Sequence, residues 1–417
     1  MFVVPPTARS WMPVDPTSHF PIQNLPFGLL ARPGLQVTLA VAIGDSVLDL
    51  TALRNAGYLM RAQYPSLDAF EEFDPSSLSE LRKLVYEILE GSNTRLRDDL
   101  ETRAKALVPM AEARMLLPIR PAGFVDFYSG IHHAANVGRL FRPDGEPLLP
   151  NYRSLPVAYN GRANSVVVSG TPITRPKGQL KLSPDEPAVY APTRELDFEL
   201  EMGFYVGVPS PMGETVPIGE APSHVLGYLL VNDWSARDVQ RWEYQPLGPF
   251  LAKSFATSVS PWLVLPDALE PFRLEPTEQE PPPLDYLIPK RALRYDIKLE
   301  VGMCSETMLR PQTIARSNTK YLYWSFDQQI AHLASGGAPL AWGELVASGT
   351  ISGPLDGSAG SLLELTRRGE VPLELEGSGE TRTFLEDGDE LILTGWAQGE
   401  GYRVGFGEVT GVIEAAG

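Results

Sequence analysis

The 417-residue sequence describes a mainly β protein with some α-helix, organised as two domains of unequal size. Three observations point there. The chain is longer than one ordinary core supports, and 43% of it is hydrophobic. A helical apolar period occupies only the region from about residue 60 to 115, while its flanks carry short apolar or alternating runs rich in β-branched residues. Pro118 and Pro121 in LPIRPAG punctuate the change, which divides the chain into a domain at 1–118 and a larger one at 119–417.

In chain order, LQVTLAVAIGDSVLDL reads as short strands ending in turns. Leu78, Leu81, Leu84, Val85, Ile88 and Leu89 recur at helical spacing, with Ser77 and Glu80 as a capping box and Gly91 as the C-terminal cap. RLRDDLETRAKAL reads as a second, more solvated helix. The stretches 178–194 and 265–290, dense in Pro and acidic residues without either period, read as long surface excursions. Asp387-Gly388-Asp389 before ELILTGW, and then GYRVGFGEVTGVIE, predict closely spaced strands joined by tight turns. A β-rich barrel or roll is the natural container for them.

A formal charge of −17, from 52 acidic and 35 basic residues, argues against nucleic acid and anionic membrane as partners. It also means that an anionic ligand needs local Arg, Lys or metal to offset the global field. The single cysteine, Cys304, cannot form an intrachain disulfide and reads as a buried small hydrophobe in a reducing compartment. MFVVPPTARSWMPVD lacks a basic segment followed by a long apolar run, and no charge-free stretch reaches membrane-spanning length, so a cytoplasmic location is expected.

The carboxylates carry the first chemical signal. In RELDFELEMGFYVGV, Glu195, Asp197, Glu199 and Glu201 alternate with Leu196, Phe198, Leu200 and Met202. On one strand the four acids share a face, about 6 to 7 Å between alternate positions, and uncompensated they oppose each other's ionisation. An edge strand showing a charged face to solvent fits the same pattern. Asp233 ends the apolar run VLGYLLVND, and Asp126 stands in GFVDFYSG two residues before Tyr128. Either aspartate alone also suits a cap or turn. Hard oxygen ligands without Cys or clustered His favour magnesium, calcium or manganese over zinc or copper.

Arg237, Gln240 and Tyr244 fall at i, i+3 and i+7, so a cation, an amide and a phenol share one helix face, suited to a carboxylate or developing oxyanion or simply to an amphipathic surface helix. Lys253 sits between apolar neighbours in PFLAKSFATS, where a lone Lys ordinarily snorkels to the surface, and Thr257 follows it. His132 and His133 are two of only five histidines and lie shortly after Tyr128; imidazole suits water activation, although a chance pair on a helix looks the same. Neither a GxSxG elbow nor an HExxH motif accompanies them. SGTISGPLDGSAG lacks the GK[ST] of a phosphate loop and reads as turns around Thr350.

Taken together, FPIQNLPFG, DFYSGIHHAANVGRLFR, GRANSVVVSGTPI, LDFELEMGF, NDWSARDVQRWEYQPLGPFLAKSF, LASGTISG and DGDELILTGWAQGEGYRVGFG resemble the fumarylacetoacetase family over nearly the whole chain. The resemblance implies an N-terminal SH3-like β-barrel with helices, a larger C-terminal β-roll catalytic domain, and a homodimer. It implies Asp126, Glu199, Glu201 and Asp233 as metal carboxylates for calcium and/or magnesium, with Glu195 and Asp197 left to structural work and Lys253 and Thr257 near a second, magnesium site. His133 resembles the family's general base and Glu364 its orienting carboxylate; Arg237, Gln240 and Lys253 match the oxyanion grip. Tyr128, Arg142, Tyr159, Gln240, Tyr244 and Thr350 match substrate-contacting positions. The implied reaction is metal-dependent hydrolysis of the carbon–carbon bond of a small diketo dicarboxylate, in tyrosine and phenylalanine degradation. A related acylpyruvate-type hydrolase and a non-catalytic calcium-stabilised β protein are the alternatives. Asn160 after Tyr159 and Ile131 before the His pair depart from the family pattern.

Overall fold

A computed structural model of the chain describes residues 1–376 and 378–417. Its organising element is a seven-stranded mixed sheet, in the order Ala158–Asn160, Phe124–Phe127, Leu345–Ala347, Leu200–Val206, Val225–Asp233, Thr257–Val259 and Val166–Val168. Both faces of this sheet are covered. Leu200, Met202, Phe204 and Val346 pack on one side with Leu299, Val301, Leu391, Leu393 and Val409. Those partners belong to a five-stranded sheet ordered Gln312–Asn318, Lys298–Cys304, Glu390–Gly399, Tyr402–Glu414 and Ile173–Thr174. Phe124, Tyr205, Val231, Val259 and Ala347 pack on the other side against the N-terminal region. Alternation along each strand divides its side chains between these two cores, as period-two geometry requires.

The N-terminal region contributes a five-stranded antiparallel sheet ordered Leu107–Pro109, Ser46–Asp49, Thr38–Ile43, Phe27–Ala31 and Arg114–Leu116. The strands expected in LQVTLAVAIGDSVLDL are the second and third of these. A helix over Pro75–Leu89 buries Leu78, Leu81, Val85, Ile88 and Leu89, the expected apolar stripe. Its start lies one turn earlier than Ser77 and Glu80 imply. Asp74 is the N-cap, its carboxylate accepts from Ser77 N–H, and Pro75 opens the helix with its preset φ. Gly91 is not a left-handed cap: the cap is Glu90, in extended backbone, and Gly91 N–H donates to the Arg9 carbonyl at 2.8 Å. RLRDDLETRAKAL forms two short helices, Arg95–Asp98 and Leu100–Ala106, because the Asp99 carboxylate caps the second by accepting from Thr102 N–H.

Three further expectations need correction. The stretch 178–194 contains an antiparallel hairpin, Lys177–Leu180 with Val189–Pro192. Within 265–290, Asp267, Ala268, Leu269, Gln279 and Leu287 are buried, so that excursion is anchored at several points. Asp267 accepts from the Phe2 N–H at 2.7 Å, which ties the chain start to this segment. Cys304 is only half-buried on its strand. The C-terminal strands form as expected, a long hairpin of Glu390–Gly399 with Tyr402–Glu414 after a turn in which Gly388 has φ +88°. Among the described residues no helix is long and apolar enough to cross a membrane.

Candidate active site

The acids converge because three of them share a sheet face. Asp126 is two residues from Phe124, Asp233 two from Val231, and Glu201 pairs across the ladder with Val231. Phe124, Val231 and Tyr205 all belong to the core on the N-terminal side, so by alternation Asp126, Asp233 and Glu201 project to that side as well. Glu199 joins them from the residue before its strand. Asp126, Glu199, Glu201 and Asp233 are all buried, with one potential ligand oxygen from each lying within 4.8 Å of the others. The solvent-facing edge strand is thereby excluded.

The four alternating acids do not act as one strand. The chain pairs through Leu196–Asp197 with Ser235–Ala236, then breaks before Leu200–Val206. Glu195 is held bidentately by Arg241, at 2.5 and 2.7 Å. Asp197 accepts from Arg237 Nε at 2.8 Å and from the N–H groups of Leu362 and Leu363, so it links Arg237 to the short helix carrying Glu364.

Two cations enter the cluster unevenly. Lys253 Nζ, 4% exposed and no snorkelling side chain, pairs with Glu199 and with Asp233 Oδ2. Arg237 Nη1 donates to Glu199 Oε1 at 2.7 Å. Burial opposes ionisation of Glu199, but Lys253 and Arg237 outweigh it and hold the carboxyl well below the usual range. Burial likewise disfavours the Lys253 ammonium, yet Asp233 and Glu199 raise its pKa above the ordinary value. For Asp126 and Glu201 the attraction of Lys253 is outweighed. Burial first, and then the neighbouring carboxylates, push both well above the usual carboxylate range.

Those two acids also carry the geometric sign of a cation site. Asp126 Oδ1 and Glu201 Oε1 are buried without a hydrogen-bond partner. A buried carboxylate oxygen in that state costs several kcal/mol unless a proton or cation meets it, about the penalty of one desolvated ion. Glu201 Oε2 accepts from Gly349 N–H at 3.2 Å, and Asp233 Oδ1 accepts from Thr257 Oγ1 at 2.8 Å. The donor set is all oxygen, with no Cys and no His among the four, which suits a hard divalent ion.

A cavity of about 470 Å³ opens above this cluster. Asp126, Glu199, Lys253, Arg237 and His133 reach its wall, as do Tyr128, Arg142, Tyr159, Gln240, Tyr244 and Thr350. Glu201, Asp233, Thr257 and Glu364 lie behind that wall. Arg237, Gln240 and Tyr244 do share the cavity-facing side of the helix Arg237–Glu243 and its cap, and Arg237 Nη2 is a buried donor without a partner. Tyr159 donates to Asp233 Oδ2 at 2.7 Å. Arg142 spends one nitrogen on the Pro147 carbonyl and keeps Nε unpartnered. Thr350 follows Gly349, whose φ of +74° and whose would-be Cβ only 2.0 Å from the Phe127 carbonyl both require glycine.

His133 and His132 separate on the helix Ile131–Phe141. His132 turns to the Tyr321 ring, while His133 is buried at the cavity with Nδ1 2.6 Å from Glu364 Oε2 and Nε2 4.0 Å from Glu199 Oε1. Residues that sequence reasoning passed over complete this corner: Asn136, Ser352 and Ser361 all hydrogen-bond Glu364. Two signals were available. Asn136 lies three residues from His133 on its helix, and Ser361 precedes Glu364 by the S-x-x-E spacing of a capping box.

The arrangement of a buried acid cluster, a carboxylate-bound imidazole and an arginine-lined cavity meets two family models end to end. Residues 23–118 match the fumarylacetoacetase N-terminal family, and residues 124–413 match the fumarylacetoacetate hydrolase C-terminal family. The chain belongs to the fumarylacetoacetate hydrolase family. Among its relatives, the fumarylacetoacetases of Bos taurus and Homo sapiens are each 47% identical over 412 residues, covering 97% of this chain and 98% of theirs. That of Oryza sativa is 46% identical over 417 residues, covering 97% of each chain. A solved fumarylacetoacetate hydrolase from psychrophilic Exiguobacterium antarcticum shares the fold at TM-score 0.53 and 17% identity, covering 94% of this chain and 99% of that one. The members' common fold is therefore kept here at low identity, while full-length likeness ties the chain to the fumarylacetoacetases.

Proposed function

We propose that this chain hydrolyses the carbon–carbon bond of 4-fumarylacetoacetate to fumarate and acetoacetate, the final step of tyrosine and phenylalanine degradation. The observation that carries this reading is the His133–Glu364 pair set at the cavity wall beside the Asp126, Glu199, Glu201 and Asp233 cluster. Full-length likeness to named fumarylacetoacetases supports the substrate.

In this reading the four carboxylates hold a divalent cation, calcium or magnesium, with Thr257 and the Lys253 segment near a second, magnesium position. Once bound, the cation supplies Lewis-acid polarisation of the diketone oxygens and stabilisation of the departing enolate. His133, with Nδ1 held by Glu364, takes a proton from water at Nε2, and that water attacks the carbonyl next to the fumaryl part. Arg237 Nη2, Gln240 and Lys253 face the oxygen on which negative charge develops. The electron pair of the breaking carbon–carbon bond leaves with the acetoacetate carbon, which then accepts a proton. Arg142, Tyr128, Tyr159, Tyr244 and Thr350 grip the substrate, giving the acidic chain its local positive charge where the ligand needs it.

The same reading has the enzyme working as a cytoplasmic homodimer, with a boundary near residues 118 and 119 and an SH3-like arrangement of the N-terminal sheet. The test is direct: purified protein with fumarylacetoacetate, products identified as fumarate and acetoacetate. Turnover of acetylpyruvate in place of fumarylacetoacetate would assign the chain to the acylpyruvate-type hydrolases instead.

A further inference from the structure

Glu364 is framed by Asn136, Ser352, Ser361 and His133, and for Asn136 and Ser352 the direction of the bond can be read from the other partner. Asn136 Nδ2 lies 2.9 Å from Glu364 Oε1, while Asn136 Oδ1 faces Arg139 Nη1 at 3.1 Å. A guanidinium can only donate, so the amide oxygen of Asn136 must turn to Arg139 and its NH₂ to Glu364. Ser352 Oγ accepts from Gly360 N–H at 2.9 Å, which leaves its own proton for Glu364 Oε2, also at 2.9 Å. Ser361 Oγ reaches the same oxygen at 2.8 Å. Glu364, Ser352 and Ser361 are all buried, so no water shell competes with these bonds.

We infer that Asn136, Ser352 and Ser361 are positioning residues whose hydrogen bonds hold Glu364 as an acceptor, and that this keeps the proton of His133 on Nδ1 and the lone pair of Nε2 toward the cavity. With Asn136 fixed as a donor to Oε1 and Ser352 as a donor to Oε2, a proton on Glu364 would forfeit at least one of these bonds, so the frame favours the carboxylate. His133 Nδ1, at 2.6 Å, must then donate. A neutral imidazole that donates at Nδ1 accepts at Nε2, the nitrogen a general base needs. Asn136 does not reach the cavity, so its influence on turnover passes through Glu364 alone. This inference deepens the proposed reaction and rests on His133 being its base.

The experiment compares the full chain with Asn136→Leu and Ser352→Ala by steady-state kinetics, magnesium calorimetry and ¹⁵N imidazole NMR, using His133→Ala to assign the His133 signals. Asn136 is half-buried and leucine has the same γ-branched shape, so this variant keeps a side chain in place while losing the donor. The expected result is a fall in kcat of about 10- to 100-fold in each variant, the usual effect of removing a supporting partner, with KM and magnesium affinity within about twofold. The wild-type spectrum shows His133 protonated at Nδ1 and free at Nε2, and the variants show a mixture of tautomers. Wild-type kcat in both variants, or a lost kcat with the Nδ1–H tautomer intact, overturns the inference. If the wild type does not turn over fumarylacetoacetate, the functional reading fails by itself, and the NMR comparison still decides the positioning role.

Discussion

Filling the acid cluster with a cation should release protons, and the number follows from which carboxylates lack partners. Glu199 is held ionised by Lys253 and Arg237, so it has no proton to lose. Asp126 and Glu201 are raised well above the usual range by burial and by their acidic neighbours, and each has a buried oxygen with nothing bonded to it. In metal-free protein these two carboxyls keep their protons above the pH at which ordinary carboxyls lose them, and a divalent ion must displace them. Because they interact strongly, they lose protons as a pair. The expectation is release of about one to two protons per ion bound at pH values where the metal-free pair is still protonated, falling toward zero as the pH rises. Calorimetric titration of magnesium or calcium in buffers of different ionisation enthalpy counts them. No proton release at any pH at which the metal-free protein is folded would overturn this assignment.

The same shifts set the pH dependence of metal-free stability. An unfolded Asp or Glu ionises near pH 4, whereas folded Asp126 and Glu201 still bind protons above that. The native state then holds more protons than the unfolded one, so stability falls as the pH rises from the unfolded values through the folded ones, by up to about 1.4 kcal/mol per pH unit for each proton. Glu199 acts in the opposite sense, contributing stability that is present above its unfolded pKa and lost only in stronger acid. Bound cation should abolish this loss, because it replaces the protons on Asp126 and Glu201.

Other outcomes follow from single contacts. His133→Ala should cost at least about a hundredfold in kcat with metal affinity unchanged by calorimetry; full activity would remove it from the base role. Asp233→Ala should weaken metal binding together with turnover, since it also releases Lys253, Tyr159 and Thr257, and unchanged affinity would contradict its place as a ligand. Gly349→Ala should destabilise the protein by more than about 1 kcal/mol in chemical denaturation, because alanine is strained at φ +74° and its Cβ meets the Phe127 carbonyl; a neutral effect would show that this turn can shift. Arg82 is fully buried and donates to the carbonyls of Phe2, Gln23 and Asn24, so Arg82→Met should lower stability by at least about 3 kcal/mol without changing kcat of the protein that remains folded.

The strands, the central helix and the C-terminal hairpin were legible because periodicity and turn chemistry are local. Leu78 to Leu89 and Asp387 to Glu414 needed no partner to be read. The acid segment was only half legible. Period two correctly placed Leu200 and Met202 in a core, but the break between Asp197 and Leu200 depends on two different pairing partners, Ser235–Ala236 and Val225–Asp233. Arg241 and Arg237, which claim Glu195 and Asp197, stand some 40 positions along the chain, and nothing in the local pattern matches acid to base. Helix ends were misplaced for a similar reason: Asp74 outcompetes Ser77 as a cap because Pro75 fixes the first helical turn. The local pattern alone could not tell His133 from His132, which only the family resemblance separated, since adjacent helical residues point about 100° apart and the direction that holds Glu364 is set by the fold.

The most direct test of the central claim is hydrolysis of fumarylacetoacetate, followed by the loss of its ultraviolet absorbance, with the protein as purified, after chelation, and after adding back magnesium or calcium. The prediction is turnover to fumarate and acetoacetate that disappears with the chelator and returns with the ion. Turnover untouched by complete metal removal, or none in folded and metal-replete protein, would contradict it.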